Sequence, residues 1–279
     1  MHRLGLIAGG GGLPLEVARA CAVAGRPLFV LRLKGMADKA LADFEGLDSG
    51  LGELGRGYKA LKDAGCTEVC FAGYIARPNF AGLKVDLRGL ATLPGVVAAA
   101  AKGDDALMRF MLGEFEREGF GVLGADEVVA ALTIPAGLLG RHAPDEAAMA
   151  DMQTAARAAR AIGALDIGQA AVAASGVVLA VEAQEGTAAM LVRCADLPET
   201  IRGTPAARRG VLVKLPKPTQ DRRVDLPTIG PDTIIAASRA GLAGIAGEAG
   251  ALLLVERDLI LRLADEEGLF VIGIAPGDG

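Results

Sequence analysis

Leu4-Gly-Leu-Ile-Ala-Gly-Gly-Gly-Gly-Leu-Pro14 is the stretch that decides the fold predicted for this chain of 279 residues. Its first residues are mainly apolar and predict a short buried strand, which runs into four consecutive glycines. A helical pattern begins at Leu13, tolerates Pro14 in its first turn and ends at Gly25. The chain therefore opens with a strand, a glycine loop and a helix, which together begin a βαβ unit.

The same alternation continues toward the middle of the chain. Predicted strands and helices follow one another at residues 27–33, 57–64, 68–72 and 120–123. Residues 90–118 have a mainly helical pattern, with breaks predicted around Pro94 and near Gly103. Because strands that alternate with helices indicate a parallel sheet, we expect a Rossmann-like α/β domain over residues 1–140.

A second α/β domain is predicted over residues 141–279. Arg141-His-Ala-Pro144 interrupts the alternation, and Asp145 can cap the helix rich in Ala and Arg that follows. Further strands are predicted at residues 176–181, 211–215, 251–255 and 269–274. Helical patterns fill residues 231–249 and 257–267. The expected fold is thus two α/β domains.

Composition excludes several classes of protein. The net charge is −5 and the pI is about 5.2, so the chain lacks the basic field that drives nucleic-acid binding. The longest uncharged stretch, residues 167–181, is shorter than the roughly 18 residues of a membrane-spanning helix. Glycines interrupt the apolar N-terminus, which argues against a signal peptide. We expect a cytoplasmic protein.

Cysteine content and hydropathy point to the core. Cys21, Cys66, Cys70 and Cys194 stand in apolar surroundings and show no metal-binding spacing, so we expect four reduced thiols. The mean hydropathy of +0.38 exceeds what packing in a soluble enzyme needs. An alanine-rich core is the favoured explanation, and an apolar chamber for a lipid is the alternative.

The glycine loop is the first candidate site. Backbone N–H groups of Gly10, Gly11 and Gly12 precede a helix N-terminus and could hold a phosphate. The dinucleotide fingerprint fails, because Leu15 replaces its last small residue and Lys34 stands where NAD would require a carboxylate. Anion binding and a tight turn without a ligand remain equally supported by this segment alone.

A second candidate is Lys102-Gly-Asp-Asp105. Adjacent carboxylates can hold Mg²⁺ through hard oxygen ligands. Asp104 and Asp105 can equally cap a helix, and we expect at least one of them to do so. Asp105 could face a ligand while Asp104 caps.

Two polar segments in the second half, residues 182–187 and 214–232, form the third candidate. Lys214 and Lys217 follow one predicted strand and can neutralise diphosphate oxygens. Glu182, Gln184 and Glu185 follow another. Because open α/β sheets bind ligands at the carboxyl ends of their strands, the two segments could converge. The alternative is a salt-bridged surface loop that Asp232 caps.

Asp225 is the residue that we single out in the second segment. Leu226-Pro227 restricts the backbone after it, and a carboxylate beside lysines can bind Mg²⁺ or position a water. With only His2 and His142, the chain cannot build a histidine-rich dimetal centre or a convincing Ser-His-Asp triad.

At these residues the chain resembles the magnesium-dependent UDP-2,3-diacylglucosamine pyrophosphatases of lipid A biosynthesis, the type unrelated to calcineurin-like enzymes. Four motifs carry the resemblance, in order and at matching spacing across the whole chain. They are Leu4-Gly-Leu-Ile-Ala-Gly-Gly-Gly11, Lys102-Gly-Asp-Asp-Ala106, Glu182-Ala-Gln-Glu-Gly-Thr187 and Val224-Asp-Leu-Pro-Thr-Ile-Gly-Pro-Asp-Thr233.

The resemblance implies hydrolysis of the substrate diphosphate to UMP and 2,3-diacylglucosamine 1-phosphate (lipid X), with water attacking the sugar-side phosphorus. It implies Mg²⁺ as cofactor and an active site in the cleft between the two domains. Asp225 becomes the leading catalytic or metal-positioning carboxylate, with Asp104 and Asp105 as further metal candidates.

The resemblance also implies roles for other residues and for partners. Lys214, Gln184 and Glu185 are expected in catalysis. Substrate-binding residues are expected to be Gly10, Gly11, Gly12, Thr187, Lys217 and Thr228. Contact with the inner membrane is peripheral at most, and a homo-oligomer is compatible with the sequence. The alternatives are a binding protein for a nucleotide sugar or lipid that has no activity, and a Rossmann-type oxidoreductase.

Overall fold

The structure, a computed structural model, describes residues 2–76, 82–218, 221–224 and 226–276. Its internal contacts divide the chain into two units. Unit 1 takes in the residues up to Ala130 together with Asp221–Val224, and unit 2 holds the other described residues, from Ala131 onward. The boundary predicted after residue 140 lies later than this division, since the strand at Gly137–Leu139 belongs to the sheet of unit 2.

The described strands of unit 1 form one parallel sheet. They are β1 (Arg3–Ala8), β2 (Leu28–Leu33), β3 (Gly46–Ser49), β4 (Cys66–Ala72) and β5 (Gly121–Leu123). Their order is β3-β2-β1-β4-β5, and all neighbours are parallel. This is the order of a Rossmann domain, in which the direction of winding reverses between β1 and β4. The predicted parallel sheet is confirmed.

Helices connect these strands. They are α1 (Leu13–Val23), α2 (Leu54–Asp63), α3 (Leu87–Ala100), α4 (Asp104–Arg117) and α5 (Ala125–Val128). The break predicted near Gly103 is confirmed, but the one around Pro94 is wrong, because α3 continues through it. Pro94 and Leu90, four residues earlier, are both exposed, so water can bond to the carbonyl that the proline leaves without a donor.

The described strands of unit 2 form a larger, mixed sheet and a two-stranded one. They are β6 (Gly137–Leu139), β7 (Ala170–Ala174), β8 (Val177–Val181), β9 (Val211–Lys214), β10 (Thr228–Ile229), β11 (Gly244–Glu248), β12 (Leu253–Leu254) and β13 (Phe270–Ile274). The larger sheet has the order β6-β13-β11-β9-β7-β8. Its strands β13, β11 and β9 are parallel, whereas β6, β7 and β8 run antiparallel to their neighbours.

Four helices of unit 2 accompany these sheets. They are α6 (Glu146–Ala164), α7 (Gly186–Ala195), α8 (Pro231–Arg239) and α9 (Arg257–Glu267). Asp145 caps α6 as predicted, since its side chain accepts a hydrogen bond of 2.8 Å from the N–H of Ala148. No helix in the described part of the chain is long and apolar enough to cross a membrane.

The helix predicted over residues 231–249 is wrong in its second half. Helix α8 ends at Arg239, and Gly241 has φ of +74°, which turns the chain out of the helix. Strand β11 follows. A Cβ on Gly244 would stand 2.4 Å from the Phe270 ring, so glycine is needed for the close approach of β11 and β13.

An alanine-rich layer lies between α6 and the larger sheet. Ala155 and Ala159 of α6 belong to the same buried cluster as Ala171 and Ala173 of β7. Small side chains let helix and sheet backbones approach closely, and they account for a high hydropathy without large residues. The alanine-rich core that we favoured is present, and all four cysteines are buried and free of disulfides, as predicted.

Candidate functional site

The carboxyl ends of β8 and β9 meet at the start of β7. Because β7 is antiparallel to both, its first residue, Ala170, pairs with Lys214 at the end of β9. On the other side, the N–H of Glu182 donates to the Ala170 carbonyl over 2.8 Å. The two polar segments that could converge according to the sequence are therefore brought together in unit 2.

A chain of hydrogen bonds joins these segments. Lys214 Nζ lies 2.9 Å from Thr187 Oγ1, and Thr187 Oγ1 lies 2.6 Å from Glu182 Oε1. The hydroxyl has a single proton, which it donates to the carboxylate, so it accepts from the ammonium group. Glu182 Oε2 accepts from the N–H of Gln169 over 3.1 Å. We call Lys214, Thr187 and Glu182 the lysine network.

Burial makes the lysine network unusual. Lys214 is 8% exposed and Glu182 is 6% exposed. Charged groups are almost never this buried without partners, because losing hydration is costly. Thr187 and the strand backbone supply part of those partners, so the ammonium group is held in a fixed position at the end of β9.

Thr228 contributes its backbone to the same place. Its carbonyl accepts a second hydrogen bond from Lys214 Nζ, at 3.1 Å, and its own hydroxyl donates to the Leu226 carbonyl over 3.2 Å. Residue 228 lies in β10, which pairs with β12 and is thereby fixed in unit 2. Of the predicted substrate-binding residues, Thr187 and Thr228 thus both contact Lys214.

Lys217 has a different partner. Its Nζ lies 2.7 Å from Asp166 Oδ1, and the lysine side chain is only 14% exposed. Asp166 has φ of +55°, an uncommon backbone conformation for a residue other than glycine. The structure therefore places Lys217 in an ion pair with the turn that follows α6.

Gln184 and Glu185 point to the surface of the turn before α7. Glu185 forms an ion pair with Arg193, which also donates to the Val181 carbonyl over 3.0 Å. Its own backbone N–H and then the Arg193 guanidinium hold the pKa of the Glu185 carboxyl below its usual range. Gln184 is exposed and bonds to no residue that the structure describes. Neither residue joins the lysine network in this arrangement.

The glycine loop of unit 1 lies at the switch point between β1 and β4. Gly10 exchanges two backbone hydrogen bonds with Tyr74, of 2.8 and 3.0 Å, so its N–H is already used. A Cβ on Gly9 would lie 2.4 Å from the Tyr74 carbonyl oxygen. Among the described residues nothing accepts from the N–H groups of Gly11 and Gly12. The loop thus combines a tight turn with two available donors.

The structure corrects the helix-capping prediction for Asp104 and Asp105. Gly103 is the N-cap of α4, and neither aspartate side chain caps the helix. Asp104 is exposed, whereas Asp105 is 9% exposed and pairs with Arg109 over 2.6 Å. Within the described ranges, no three Asp, Glu, His or Cys side chains come together as a metal site.

Asp225, the leading catalytic candidate, lies outside the described residues. Its covalent neighbours are described. Val224 packs against the hydrophobic core of unit 1, and Leu226 is 9% exposed in unit 2.

The prediction placed Glu182 at the end of a strand but gave it no role in the site, and it did not name Gln169. Glu182 was visible as the first polar residue after an apolar run, but Gln184 and Glu185 stood beside it with the same signal. Gln169 lies in an uncharged stretch and contributes through its backbone, which no side-chain pattern reveals.

The fold and the lysine network define a class: a two-domain α/β protein with a tight glycine loop in one domain and a buried lysine at strand ends in the other. Family models match both parts, the LpxI N-terminal domain over residues 3–132 and the LpxI C-terminal domain over residues 135–272. The chain is 56% identical to UDP-2,3-diacylglucosamine pyrophosphatase LpxI of Caulobacter vibrioides over 276 residues, 99% of each chain. It belongs to the LpxI family.

Proposed function

We propose that the protein hydrolyses the diphosphate bond of UDP-2,3-diacylglucosamine in lipid A biosynthesis, yielding UMP and 2,3-diacylglucosamine 1-phosphate (lipid X). The observation that carries this proposal is the 56% identity, over nearly the full length, to a relative named for acting on that substrate. The lysine network and the glycine loop supply the chemistry that such a substrate needs.

Lys214 is proposed to neutralise the diphosphate. A diphosphate repels an attacking water through its own charge, and a fixed ammonium group in a buried setting offsets that charge strongly. Thr187 and Thr228 hold Lys214 in place before substrate arrives, so little reorganisation is needed during the reaction.

Gly11, Gly12 and Lys217 are proposed to contact substrate, and Gln184 and Glu185 are proposed to act in catalysis. The two glycines present backbone donors at the N-terminus of α1, where the helix dipole favours an anion. Lys217 can exchange its Asp166 partner for a phosphate oxygen, since both are anionic acceptors.

Asp225 is proposed to orient the attacking water, and Mg²⁺ is proposed as the cofactor. The described residues do not form a three-ligand site, and Asp105 is engaged by Arg109. Binding of substrate between the two domains, peripheral contact with the inner membrane, cytoplasmic location and a homo-oligomer all stay predictions.

One experiment tests the reaction and its direction. Purified protein is incubated with UDP-2,3-diacylglucosamine and Mg²⁺ in ¹⁸O-labelled water, and the products are identified by mass spectrometry. We expect UMP without label and lipid X with one ¹⁸O, because attack at the sugar-side phosphorus breaks its bond to the bridging oxygen. Label in UMP would show that water attacks the uridine-side phosphorus instead. Binding of the substrate without formation of products would support the alternative of a binding protein without activity.

Two further arms test the proposed components. An Asp225→Asn variant keeps the size of the side chain but loses its charge, and we expect it to be nearly inactive. Normal turnover would remove Asp225 from catalysis. A chelator should abolish activity and added Mg²⁺ should restore it, whereas indifference to chelation would end the metal proposal.

A further inference from the structure

Helix α3 of unit 1 exposes its larger apolar residues and buries its small ones. Every exposed residue of this helix is apolar. These residues, which we call the α3 stripe, are Leu87, Leu90, Ala91, Pro94, Val97 and Ala98. Among them Leu87 is 88% exposed, Leu90 56% and Val97 45%. A surface helix normally turns its larger apolar residues toward the core, so α3 is reversed.

The α3 stripe is one continuous face, and the packing of the helix does not use it. At about 100° per residue, its positions fall within roughly 120° of the helix circumference. The opposite face approaches its neighbours closely. A Cβ on Gly89 would lie 2.1 Å from the Gly52 carbonyl oxygen, and one on Gly95 would lie 2.4 Å from the Phe110 ring. Small residues thus attach α3 to unit 1, and the stripe is left for a partner.

The charges around the α3 stripe favour an anionic partner. Residues 87–103 contain no Asp or Glu, although the whole chain has a net charge of −5. Lys84 precedes α3 and Lys102 follows it; both are exposed, and neither forms an ion pair with a residue that the structure describes. Of the carboxylates that flank this range, Asp86 caps α3 and Asp104 belongs to α4. An apolar face between two exposed ammonium groups fits an anionic lipid surface.

We propose that the α3 stripe docks on the surface of an anionic lipid membrane, with Leu87, Leu90 and Val97 entering the boundary between headgroups and acyl chains. The inference rests on the proposed function, because a substrate with two acyl chains resides in a membrane and the enzyme must collect it there. Helix α3 has 14 residues, fewer than the about 20 that span a bilayer, so it lies on the surface.

The size of the α3 stripe argues against a second copy of the chain as its partner. A stable protein interface takes about 20–30 residues a side. The stripe offers only the six exposed residues of one helix. A membrane makes no such demand, since shallow insertion of a few apolar side chains adds to the attraction between lysines and anionic headgroups.

Vesicle binding tests the docking directly. Full-length protein is mixed with vesicles of phosphatidylcholine and phosphatidylglycerol in equal parts, or of phosphatidylcholine alone, and the bound fraction is measured by flotation. We expect about 10-fold tighter binding to the anionic vesicles, weakening as salt is raised, because salt screens the attraction between lysines and lipid. Absence of binding to both kinds of vesicle, or equal binding to both, would overturn the proposal.

A pair of leucine substitutions tests the apolar part of the surface. Leu87→Gln with Leu90→Gln should weaken binding to the anionic vesicles about 10-fold or more, since the buried apolar area sets much of the affinity. The matched control is Val23→Gln with Leu165→Gln, two positions outside the stripe that are 92% and 71% exposed. The control should bind as the unmodified protein does. Equal weakening by both pairs would contradict docking through the stripe.

A pair of lysine substitutions tests the charged part. Lys84→Gln with Lys102→Gln should weaken binding to the anionic vesicles about 10-fold and leave binding to phosphatidylcholine unchanged. The control, Lys39→Gln with Lys59→Gln, removes the same charge at other exposed positions of unit 1. An equal loss in the control would show attraction without a defined surface, and the proposal would be rejected.

Activity and mass measurements separate the membrane from other occupants of the α3 stripe. Leu87→Gln with Leu90→Gln is assayed with UDP-2,3-diacylglucosamine in detergent micelles and in anionic vesicles. We expect kcat/KM to fall about 10-fold in vesicles only, because micelles remove the need to dock. An equal fall in micelles would assign the stripe to the acyl chains of a single substrate molecule. A dimer that dissociates in this variant, seen by sedimentation velocity, would assign it to a second copy. Either result would overturn the proposal.

Failure of this inference and failure of the proposed function give different results. Vesicle binding that depends on the stripe, without product formation in micelles or vesicles, would reject the hydrolysis and keep the docking surface. Product formation together with vesicle binding that the leucine pair does not weaken would reject the docking surface and leave the proposed function standing.

Discussion

The two units present hydrogen-bond donors in opposite ways at their candidate sites. Unit 1 offers backbone N–H groups at a glycine loop, and its turn is set by close contact with Tyr74. Unit 2 offers a buried lysine side chain, and its position is set by hydrogen bonds with Thr187 and Thr228. One site depends on the absence of side chains, and the other depends on particular side chains.

The hydrophobic cores of the two units also differ, in the size of the side chains that fill them. Unit 1 packs aromatic rings, with Phe115 in edge contact with both Tyr58 and Phe71 at centroid distances of 4.9 Å. Unit 2 packs alanines of α6 against β7. Its sequence after residue 120 contains a single aromatic residue, Phe270. The ends of β8 and β9 are held near one another by the pairing of both strands with β7, which lies between them. The comparison therefore predicts that added side-chain volume in the glycine loop destabilises unit 1. In unit 2, the loss of a charge or a hydrogen bond at Lys214 should lower activity.

The largest effect is expected from Lys214→Met. The change keeps the apolar part of the side chain and removes the buried charge, so kcat should fall about 100- to 1,000-fold, as when a preorganised donor is lost from a catalytic site. Steady-state kinetics with UDP-2,3-diacylglucosamine measures it. Lys59→Met, which breaks an exposed ion pair on unit 1, is the control and should leave kcat unchanged. A loss of less than about threefold in Lys214→Met would contradict the electrostatic part of the comparison.

Thr187→Val should produce the next largest effect. Valine matches threonine in shape but cannot bridge Lys214 and Glu182, and a lost hydrogen bond to a charged group costs about 1.5–3 kcal/mol. We expect urea melts to show that loss and kcat to fall about 10-fold, in line with a loss of about 1.4 kcal/mol in transition-state stabilisation. Thr187→Ser retains the hydroxyl and should behave as the unmodified protein. Equal behaviour of the valine and serine variants would show that the bridge is unimportant.

Substitutions in the glycine loop test the steric half of the comparison. Gly9→Ala places a Cβ 2.4 Å from the Tyr74 carbonyl oxygen, and Gly10→Ala places one 2.5 Å from the Tyr74 ring. Gly9→Ala should lower the free energy of unfolding by about 1–3 kcal/mol, the usual cost of overpacking, because the obstructing atom belongs to the backbone. Gly10→Ala should cost less, because the exposed Tyr74 ring can turn aside. Gly121→Ala, whose Cβ would meet nothing closer than 3.7 Å, is the control.

Tyr74→Ala sharpens this test. It removes the ring that obstructs Gly10→Ala but leaves the carbonyl that obstructs Gly9→Ala. The second substitution should therefore restore stability to Gly10→Ala only. Rescue of both variants, or of neither, would show that the loop is not shaped by the contacts described.

Sequence patterns predicted the parts of the fold that are locally encoded. Strand β1, the glycine loop and α1 follow one another in a pattern that needs no distant residue. Strand β7 was missed because Ala170–Ala174 consists mainly of alanine, which favours helices, and its strand conformation depends on pairing with β8 and β9. Strand β11 was missed because its first glycine, Gly244, is explained by a neighbour, Phe270, that lies far along the chain.

The candidate site shows the same limit. The sequence indicated that residues 182–187 and 214–232 were polar segments at strand ends, but their contact depends on β7, which was not predicted. It also could not rank Glu182 above Glu185. Glu182 continues the ladder of β8 and turns inward, whereas Glu185 stands in the turn and pairs with Arg193. Which carboxylate is buried depends on strand register, a property of the folded sheet.

The smallest predicted effect is on the pH dependence of stability and concerns Glu53 of unit 1. Its carboxylate accepts hydrogen bonds from a backbone N–H and from a lysine. The Gly50 N–H and then the Lys34 ammonium group lower the pKa of Glu53 from 4.5 to about 2. A lowered pKa means that the folded protein binds the proton less tightly than the unfolded chain does. The stabilisation is therefore complete above about pH 4.5 and disappears as the pH falls toward 2.

Glu53→Gln should remove this stabilisation, which we place at about 1 kcal/mol or less because solvent screens the group. Melting temperatures measured from pH 7 to pH 2.5 should show a constant deficit for the variant above pH 5 that narrows in acid. Asp63→Asn, at an exposed ion pair on α2, is the control and should show a much smaller pH-dependent difference. If the difference in melting temperature for Glu53→Gln stays constant down to pH 2.5, the charge of Glu53 does not stabilise the protein. The contribution of Glu53 would then come from packing and neutral hydrogen bonds, and the contrast between the two units would be sharper.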